Sequence, residues 1–127
     1  MSYIAPGVIG SPQTVSVNTQ YESDIPGVPN LSVFKFYGET GKKYMIGVET
    51  SDTQPAFNIS DSVLYIYKPS NLAFTDSTYD YYNDDDYGPW DVIPPYDYSL
   101  VRGSRRVFTA TETGWYVVII VEYGTSF

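Results

Sequence analysis

Apolar and polar residues alternate along several short segments of the chain, as they do in strands with one buried and one wet face. The alternating segments are residues 14–18, 31–37 and 105–111, and residues 43–49 and 62–67 are predicted as two further strands. Glycine, proline, serine or asparagine residues adjoin several of them, and these residue types favour turns. No helical periodicity of similar length accompanies them, so the pattern predicts an all-β protein.

Residues 115–123 form the most apolar run in the sequence. A buried helix is the competing interpretation, but a succession of β-branched residues in this run disfavours a helix. Because polar residues do not interrupt the run, we expect a central strand that is buried on both faces. A further short strand is predicted at residues 72–74.

About seven or eight strands with turns between them are typical of a single antiparallel β-sandwich, here jelly-roll-like, whose strand order the sequence leaves open. This domain is predicted to span residues 13–127. Residues 1–12 are apolar but interrupted by proline and glycine, which predicts an extended N-terminal arm. Residues 76–98 carry seven aspartates and no basic residue, and they are predicted to form a long acidic, tyrosine-rich loop.

The arm is a candidate partner-binding segment through Tyr3, Ile4, Val8 and Ile9. Ordering twelve residues costs about 12–24 kcal/mol of backbone entropy, whereas burial of these side chains returns only about 6–12 kcal/mol. The arm therefore needs backbone pairing, either on its own sheet or on that of a neighbouring subunit. Both alternatives remain open at this point.

Charge and composition exclude several classes of function. The formal net charge is −8 and the seven basic residues are scattered, which disfavours nucleic acid as a partner. The chain has no cysteine and no histidine, which removes disulfides, thiolate metal sites and the commonest general base. Carboxylates are abundant, but no pattern fixes two at a working separation, so we expect a protein that is not an enzyme.

The acidic loop is a candidate calcium site. Calcium prefers six to eight oxygen ligands from a flexible loop, and Asp84, Asp85 and Asp86 supply consecutive carboxylates that a cation would neutralise. Further candidate ligands are Asn83, Asp80, Asp76 and Asp61. The EF-hand pattern does not fit, since proline occupies the twelfth position counted from Asp84. A solvated acidic loop without a bound ion is the alternative.

The aromatic residues of the loop form a second candidate partner surface. Tyr81, Tyr82, Tyr87 and Trp90 could stack on a carbohydrate or on side chains of a protein partner. Alternatively, several of these rings fold back over the edge of the sandwich. Trp115, at the start of the apolar run, is interpreted as a packing residue.

Several motifs in order resemble a known module, the bacterial pre-peptidase C-terminal domain, a calcium-associated β-sandwich related to clostridial collagen-binding domains. The motifs are Gly-Lys-Lys-Tyr at 41–44, Asp-Ser-Val-Leu-Tyr-Ile-Tyr-Lys-Pro at 61–69, Asn-Asp-Asp at 83–85 and Thr-Gly-Trp-Tyr at 113–116. The resemblance spans about residues 31–123 and implies a calcium-binding accessory domain of an exported protein. The loop here is longer and more aromatic than the family pattern.

Two functions from different classes follow. In the first, the chain is a structural subunit of a larger assembly, of the virion decoration, capsid cement or surface filament type. In the second, it is a calcium-binding accessory domain that binds a carbohydrate or protein surface. No apolar segment is long enough for a membrane helix, and the first residues lack the features of a signal peptide. The expected location is therefore a virion or an extracellular or surface assembly.

Overall fold

The structure is a computed structural model that describes residues 2–24, 31–48, 62–83 and 104–127. Within these residues it contains nine strands and no helix, which confirms the all-β prediction. The strands are β1 (Ser2–Tyr3), β2 (Gln13–Thr14), β3 (Tyr21–Glu22), β4 (Leu31–Gly38), β5 (Lys43–Val48), β6 (Ser62–Tyr67), β7 (Tyr81–Asn83), β8 (Ser104–Thr109) and β9 (Gly114–Glu122).

A five-stranded sheet with the order β2-β4-β9-β6-β7 forms the centre of the fold. Strand β9 lies in the middle and pairs antiparallel with both β4 and β6, from Gly38↔Gly114 at one end to Ser62↔Glu122 at the other. The prediction of a central strand over the apolar run is therefore confirmed. Its buried residues alternate sides, and Tyr116, Ile119 and Val121 are almost completely inaccessible to solvent.

A two-stranded ladder of β5 and β8 packs against one face of this sheet, which we call the inner face. Phe36 and Tyr116 of the sheet contact Phe108 of the ladder, with ring centroids 6.5 and 5.6 Å away. The buried hydroxyls of Ser62 and Ser104 lie 3.1 Å apart and join the sheet to the ladder at one end. Aromatic packing and this hydrogen bond thus hold the two layers together.

The opposite face of the sheet, the outer face, is also apolar and forms a second core. Its buried residues are Leu31, Val33, Val63, Tyr65, Tyr67, Ile119 and Val121, with Phe74, Val117 and Phe127 packed against them. These last residues show that the segment after β6 and the C-terminal tail cover part of the outer face. The sheet therefore has buried apolar residues on both faces although the ladder covers only one.

The N-terminal arm pairs with strands of its own domain. Strand β1 runs parallel to β3, and Gly7 exchanges two backbone hydrogen bonds with Val33 on the edge of β4 that does not pair with β9. A side chain at Gly7 would fall within 2.6 Å of the carbonyl oxygens of Ser11 and Val33, so the approach requires glycine. Strand β2 then continues parallel to β4.

The structure differs from the prediction in three segments. The segment predicted as a strand at 14–18 pairs only at Gln13–Thr14, because Val17 and Asn18 form a turn in which Asn18 has φ of 59°. Residues 72–74 are not a strand, since Phe74 adopts φ of 49° and points onto the outer face. Within the predicted loop 76–98, residues 81–83 form β7, which pairs with β6; residues 84–98 lie outside the described residues.

Candidate functional site

The segment between β6 and β7, residues 68–80, forms a loop braced by side-chain hydrogen bonds. Asp80 Oδ2 accepts from the backbone N of Lys68 at 2.8 Å and from Asn71 Nδ2 at 3.0 Å. Asn71 Nδ2 also donates to the carbonyl of Thr78 at 2.6 Å. Because these bonds join the two ends of the segment, the loop has a defined shape although it contains no strand.

Phe74 and Tyr67 fix this braced loop to the outer face of the sheet. Their rings pack edge to face with centroids 5.5 Å apart. The Tyr67 hydroxyl donates to the carbonyl oxygen of Thr75 at 2.7 Å. A left-handed conformation is uncommon for a bulky residue such as Phe74, and the surrounding contacts compensate for its cost.

The phenol of Tyr67 is shielded from water by this packing. Burial raises the pKa of Tyr67 well above its usual range, and the nearby Tyr65, Asp76 and Asp80 raise it further. The ionised phenolate is therefore strongly disfavoured, and Tyr67 acts as a neutral hydrogen-bond donor.

A cleft on one side of the braced loop is lined largely by tyrosine and polar residues, and we call it the tyrosine cleft. Its lining residues are Val63, Tyr65, Asp76, Tyr82, Tyr123, Gly124, Thr125 and Ser126, around a volume of about 320 Å³. Tyr65 packs at 5.3 Å against Tyr82 and at 5.0 Å against Phe127. Tyr79 stacks behind Tyr82 at 5.3 Å, so the wall of the cleft is two rings thick.

A smaller apolar groove of about 190 Å³ lies on the other side of the braced loop. Its lining residues are Ile9, Gly10, Pro12, Val33, Phe74 and Val117.

Trp115 lies beside Val117 on the outer face, and Tyr37 packs edge to face on Trp115 with ring centroids 5.5 Å apart. The ammonium group of Lys35 lies 4.7 Å from the Trp115 ring. Trp115 and Tyr37 are 45% and 51% exposed, so Trp115 is a surface residue and not the packing residue that we expected.

The structure places the predicted partner-binding residues of the arm in two groups. Tyr3, Val8 and Ile9 are exposed, and the Tyr3 hydroxyl donates to Asp24. Ile4 instead packs against the inner core. Three of the four predicted side chains are therefore accessible to a partner, and the fourth anchors the arm.

Neighbouring predicted residues of β7 face opposite sides of the sheet. Tyr82 lies on the outer face in the tyrosine cleft. Tyr81 faces inward and stacks on Phe108 at 4.6 Å. Successive side chains of a strand point to opposite faces, so the two tyrosines are separated. Because residues 81 and 82 were predicted to lie in a loop, this separation was not predicted. Tyr87 and Trp90 lie outside the described residues.

Candidate calcium ligands within the described residues take part in structural hydrogen bonds. Asn83 Oδ1 accepts from the backbone N of Arg105 at 3.1 Å and so connects β7 to β8. Asp80 braces the loop, and Asp76 Oδ2 accepts from the backbone N of Phe127 at 3.1 Å. No three acidic residues group into a metal site in the part of the chain that the structure describes. Asp61, Asp84, Asp85 and Asp86 lie outside it.

Two aromatic residues of the cleft, Tyr65 and Tyr123, were absent from the predicted site residues. Tyr65 lies on the outer face because its neighbours Leu64 and Ile66 face the inner core, and successive side chains of a strand point to opposite faces. Tyr123 comes after the end of β9, and only the folded arrangement brings it beside Tyr82.

Comparison of the chain with models of protein families, with curated proteins and with solved structures found no match. Among the described residues, no helix is long and apolar enough to span a membrane.

Proposed function

We propose that this chain is a non-enzymatic structural protein that takes part in a larger assembly. The observation that carries the proposal is the outer face of the sheet, which exposes aromatic and aliphatic side chains on both sides of the braced loop. The exposed residues of this region are Tyr37, Leu72, Tyr79, Tyr82, Trp115 and Tyr123. Exposed aromatic side chains of this kind are enriched in protein interfaces. The assemblies that we have in mind are virion particles, with this chain as a decoration or cement subunit, and surface filaments.

The arm contributes to this proposal through its side chains. Its backbone pairs with β3 and β4 of the same chain, so strand exchange with a neighbour would first have to break those bonds. Tyr3, Val8 and Ile9 remain exposed and extend the apolar surface beyond the outer face. A contact by these side chains requires no rearrangement of the arm.

The absence of catalytic chemistry in the sequence supports a binding role. The chain has neither histidine nor cysteine, so the commonest general base and thiol nucleophiles are excluded. In the described ranges, Asp76 and Asp80 use a carboxylate oxygen to hold backbone N–H groups. These carboxylates have structural roles, which agrees with a protein that binds and does not catalyse.

A single jelly-roll-like sandwich is our proposal for the complete fold. The packing of the β5–β8 ladder on the inner face supports it, since two strand layers enclose a common aromatic core. The ladder is narrower than the five-stranded sheet within the described residues.

Density-gradient fractionation of the source material tests the assembly proposal. We expect the chain to co-sediment with a large particle in a fixed ratio to another protein, as determined by mass spectrometry. Purified Trp115→Ser should then fail to bind particles stripped of the chain, because Trp115 is exposed on the outer face. Met45→Ser, on the outer side of the ladder and 52% exposed, is the matched control. Recovery of the chain only in the soluble fraction would contradict the proposal.

A calcium-binding accessory domain, similar to the pre-peptidase C-terminal domain, is the second candidate. One observation favours it: Ser62 and Asn83 lie on the adjacent strands β6 and β7, where the pair Leu64↔Asn83 is in register. Ser62 follows Asp61, and Asn83 precedes Asp84, Asp85 and Asp86. Both sets of predicted ligands therefore adjoin, in the sequence, strands that are neighbours in the sheet.

Calcium titration of the melting temperature tests this second candidate. Addition of calcium should raise the melting temperature of the unmodified protein, and Asp84→Asn combined with Asp85→Asn should abolish the rise. Glu22→Gln combined with Glu39→Gln removes the same charge at two exposed positions outside the acidic loop and is the control. A melting temperature that calcium does not change would exclude the calcium site.

A further inference from the structure

We propose that the tyrosine cleft receives an arginine or lysine side chain of the protein partner in the assembly. This inference rests on the proposed assembly function and specifies the chemistry of its partner. The side chain would lie against the rings of Tyr82 and Tyr123, with its charged group directed to the carboxylate of Asp76.

The shape of the cleft suits one long side chain. Its volume of about 320 Å³ is at the small end of the range for ligand sites. Val63 and Tyr65 form a buried floor, whereas Tyr82 and Tyr123 are 36% and 66% exposed at the sides. A partner's methylene groups could pack on these rings while the cleft remains open to the rest of the partner.

The carboxylate of Asp76 is held in place before any ligand binds. The backbone N of Asp76 donates to the carbonyl of Phe127, and the backbone N of Phe127 donates to Asp76 Oδ2. The other oxygen, Oδ1, accepts no hydrogen bond from the described residues. It therefore retains its capacity to accept from a guanidinium or ammonium group.

Electrostatic complementarity selects a cation. The lining of the cleft contains one carboxylate and no lysine or arginine. Tyrosine rings present a negative face to a cation, and the chain as a whole carries a formal charge of −8. An anionic ligand would be repelled, whereas a neutral sugar can donate hydrogen bonds to Asp76 but carries no charge to neutralise the carboxylate.

The surroundings of the cleft favour a side chain of a protein over a free small cation. The cleft opens on the same outer face that exposes Trp115 and Tyr37, at the other side of the braced loop. Arginine and tyrosine are among the residues that dominate binding energy at protein interfaces. A basic residue in the cleft would thus serve as one anchor of a larger contact.

Titration of the full chain with short peptides tests the site directly. A five-residue glycine peptide with a central arginine is compared with the same peptide carrying citrulline, which is neutral and of similar shape. Ring signals of the tyrosines are followed by NMR. We expect saturable shifts at Tyr82 and Tyr123 with the arginine peptide, and binding about tenfold weaker with citrulline.

Two pairs of variants test whether peptide binding depends on the residues of the cleft and not on the charge or the aromatic content of the whole chain. Asp76→Asn keeps an oxygen that can accept from the backbone N of Phe127 but removes the negative charge. The affinity for the arginine peptide should fall about fivefold. Glu39→Gln removes one exposed charge elsewhere and should leave the affinity unchanged. Tyr82→Leu should weaken binding by a similar factor, whereas Tyr37→Leu should not.

Equal binding of the arginine and citrulline peptides would overturn the inference, as would tighter binding of maltose, which would indicate a sugar site. The gradient experiment distinguishes this failure from failure of the assembly proposal. If unmodified protein and Asp76→Asn bind stripped particles equally, the assembly function stands and the cleft inference is wrong. If the unmodified chain does not associate with any particle, both proposals fail, whatever the peptides do.

Discussion

The rings of Tyr81 and Phe108 stack with centroids 4.6 Å apart and planes inclined by 23°. This contact joins the edge strand β7 of the sheet to β8 of the ladder. Phe108 also contacts Tyr44, Phe36 and Tyr116, so it lies at the centre of the inner core. The relationship explains why Tyr81, unlike Tyr82, is half-buried.

Loss of the Phe108 ring should destabilise the whole domain. Phe108→Ala removes a buried side chain with several aromatic contacts, and we expect the free energy of unfolding to fall by about 3–5 kcal/mol. Val107→Ala is the matched control, because Val107 is the preceding residue of β8 and is 46% exposed. Urea denaturation measures both. A change at Phe108 no larger than that at Val107 would contradict the inner core described above.

Gly7→Ala should release the arm from the edge of β4 while the sheet persists. The added methyl group would collide with backbone oxygens of Ser11 and Val33, which cannot move without breaking the pairing. Amide exchange at Val33, whose N–H donates to the Gly7 carbonyl, should accelerate. Amides of β9 should keep their protection.

Deletion of residues 1–12 gives the exchange rate at Val33 when the arm is absent. The exchange rate at Val33 in Gly7→Ala should approach that in the deletion variant. Unchanged exchange at Val33 in both proteins would show that the arm does not protect this edge in solution.

The buried phenol of Tyr67 predicts a loss of stability at alkaline pH. Its pKa is raised in the folded protein above the unfolded value of 10.0, so the folded state retains a proton that the unfolded state releases. This stabilisation is complete below pH 10 and should decrease as the pH rises beyond it. Denaturation midpoints measured between pH 8 and pH 11 would show the decline (about 1 kcal/mol for each pH unit above 10).

Tyr67→Phe should lose the hydrogen bond to Thr75 and destabilise the protein by about 1 kcal/mol at pH 8. The variant should also show a smaller decline above pH 10, since it cannot ionise at this position. Tyr37→Phe, at an exposed position on the same sheet, serves as the control and should retain the full decline. Identical alkaline profiles of Tyr67→Phe and the unmodified protein would refute the assignment to Tyr67.

Asp80 should stabilise the braced loop whether or not calcium is present. Asp80→Ala removes the acceptor for Lys68 N and Asn71 Nδ2, and we expect a loss of about 1–3 kcal/mol in the presence of a chelator. Glu39→Ala, which removes an exposed carboxylate, should change stability by less than about 1 kcal/mol. An effect of Asp80→Ala that appears only with calcium would identify Asp80 as a ligand instead.

Much of the sheet was predictable because its strands carry their own period. The bounds of β6 match the predicted segment, and those of β4, β5, β8 and β9 differ from the predictions by one or two residues at an end. The apolar run of β9 could also be assigned to the centre, since a strand without polar positions must be covered on both faces. Local pattern and turn chemistry are sufficient for these features.

The alternation of apolar and polar residues did not predict the shortest strands. Strands β1 and β3 contain two residues each, and β7 contains three, which is too few to establish alternation. Their conformation depends on partners far along the chain, such as Glu22 for Ile4 and Ile66 for Asp80. The aspartates of the loop are predicted metal ligands from their residue type, their spacing and the family resemblance, and the structure adds that Asp80 and Asp76 accept hydrogen bonds from backbone groups.

The sequence by itself determined that this chain is all-β, acidic, and without histidine or cysteine, and it located the central strand. Only the tertiary structure decided which side chains share a surface. Tyr65, Asp76, Tyr82 and Tyr123 come from β6, the braced loop, β7 and the tail, and they meet on the outer face. Strand period fixes which way a residue points relative to its own strand. The neighbours of that residue depend on register and crossover, which result from the packing of the whole chain.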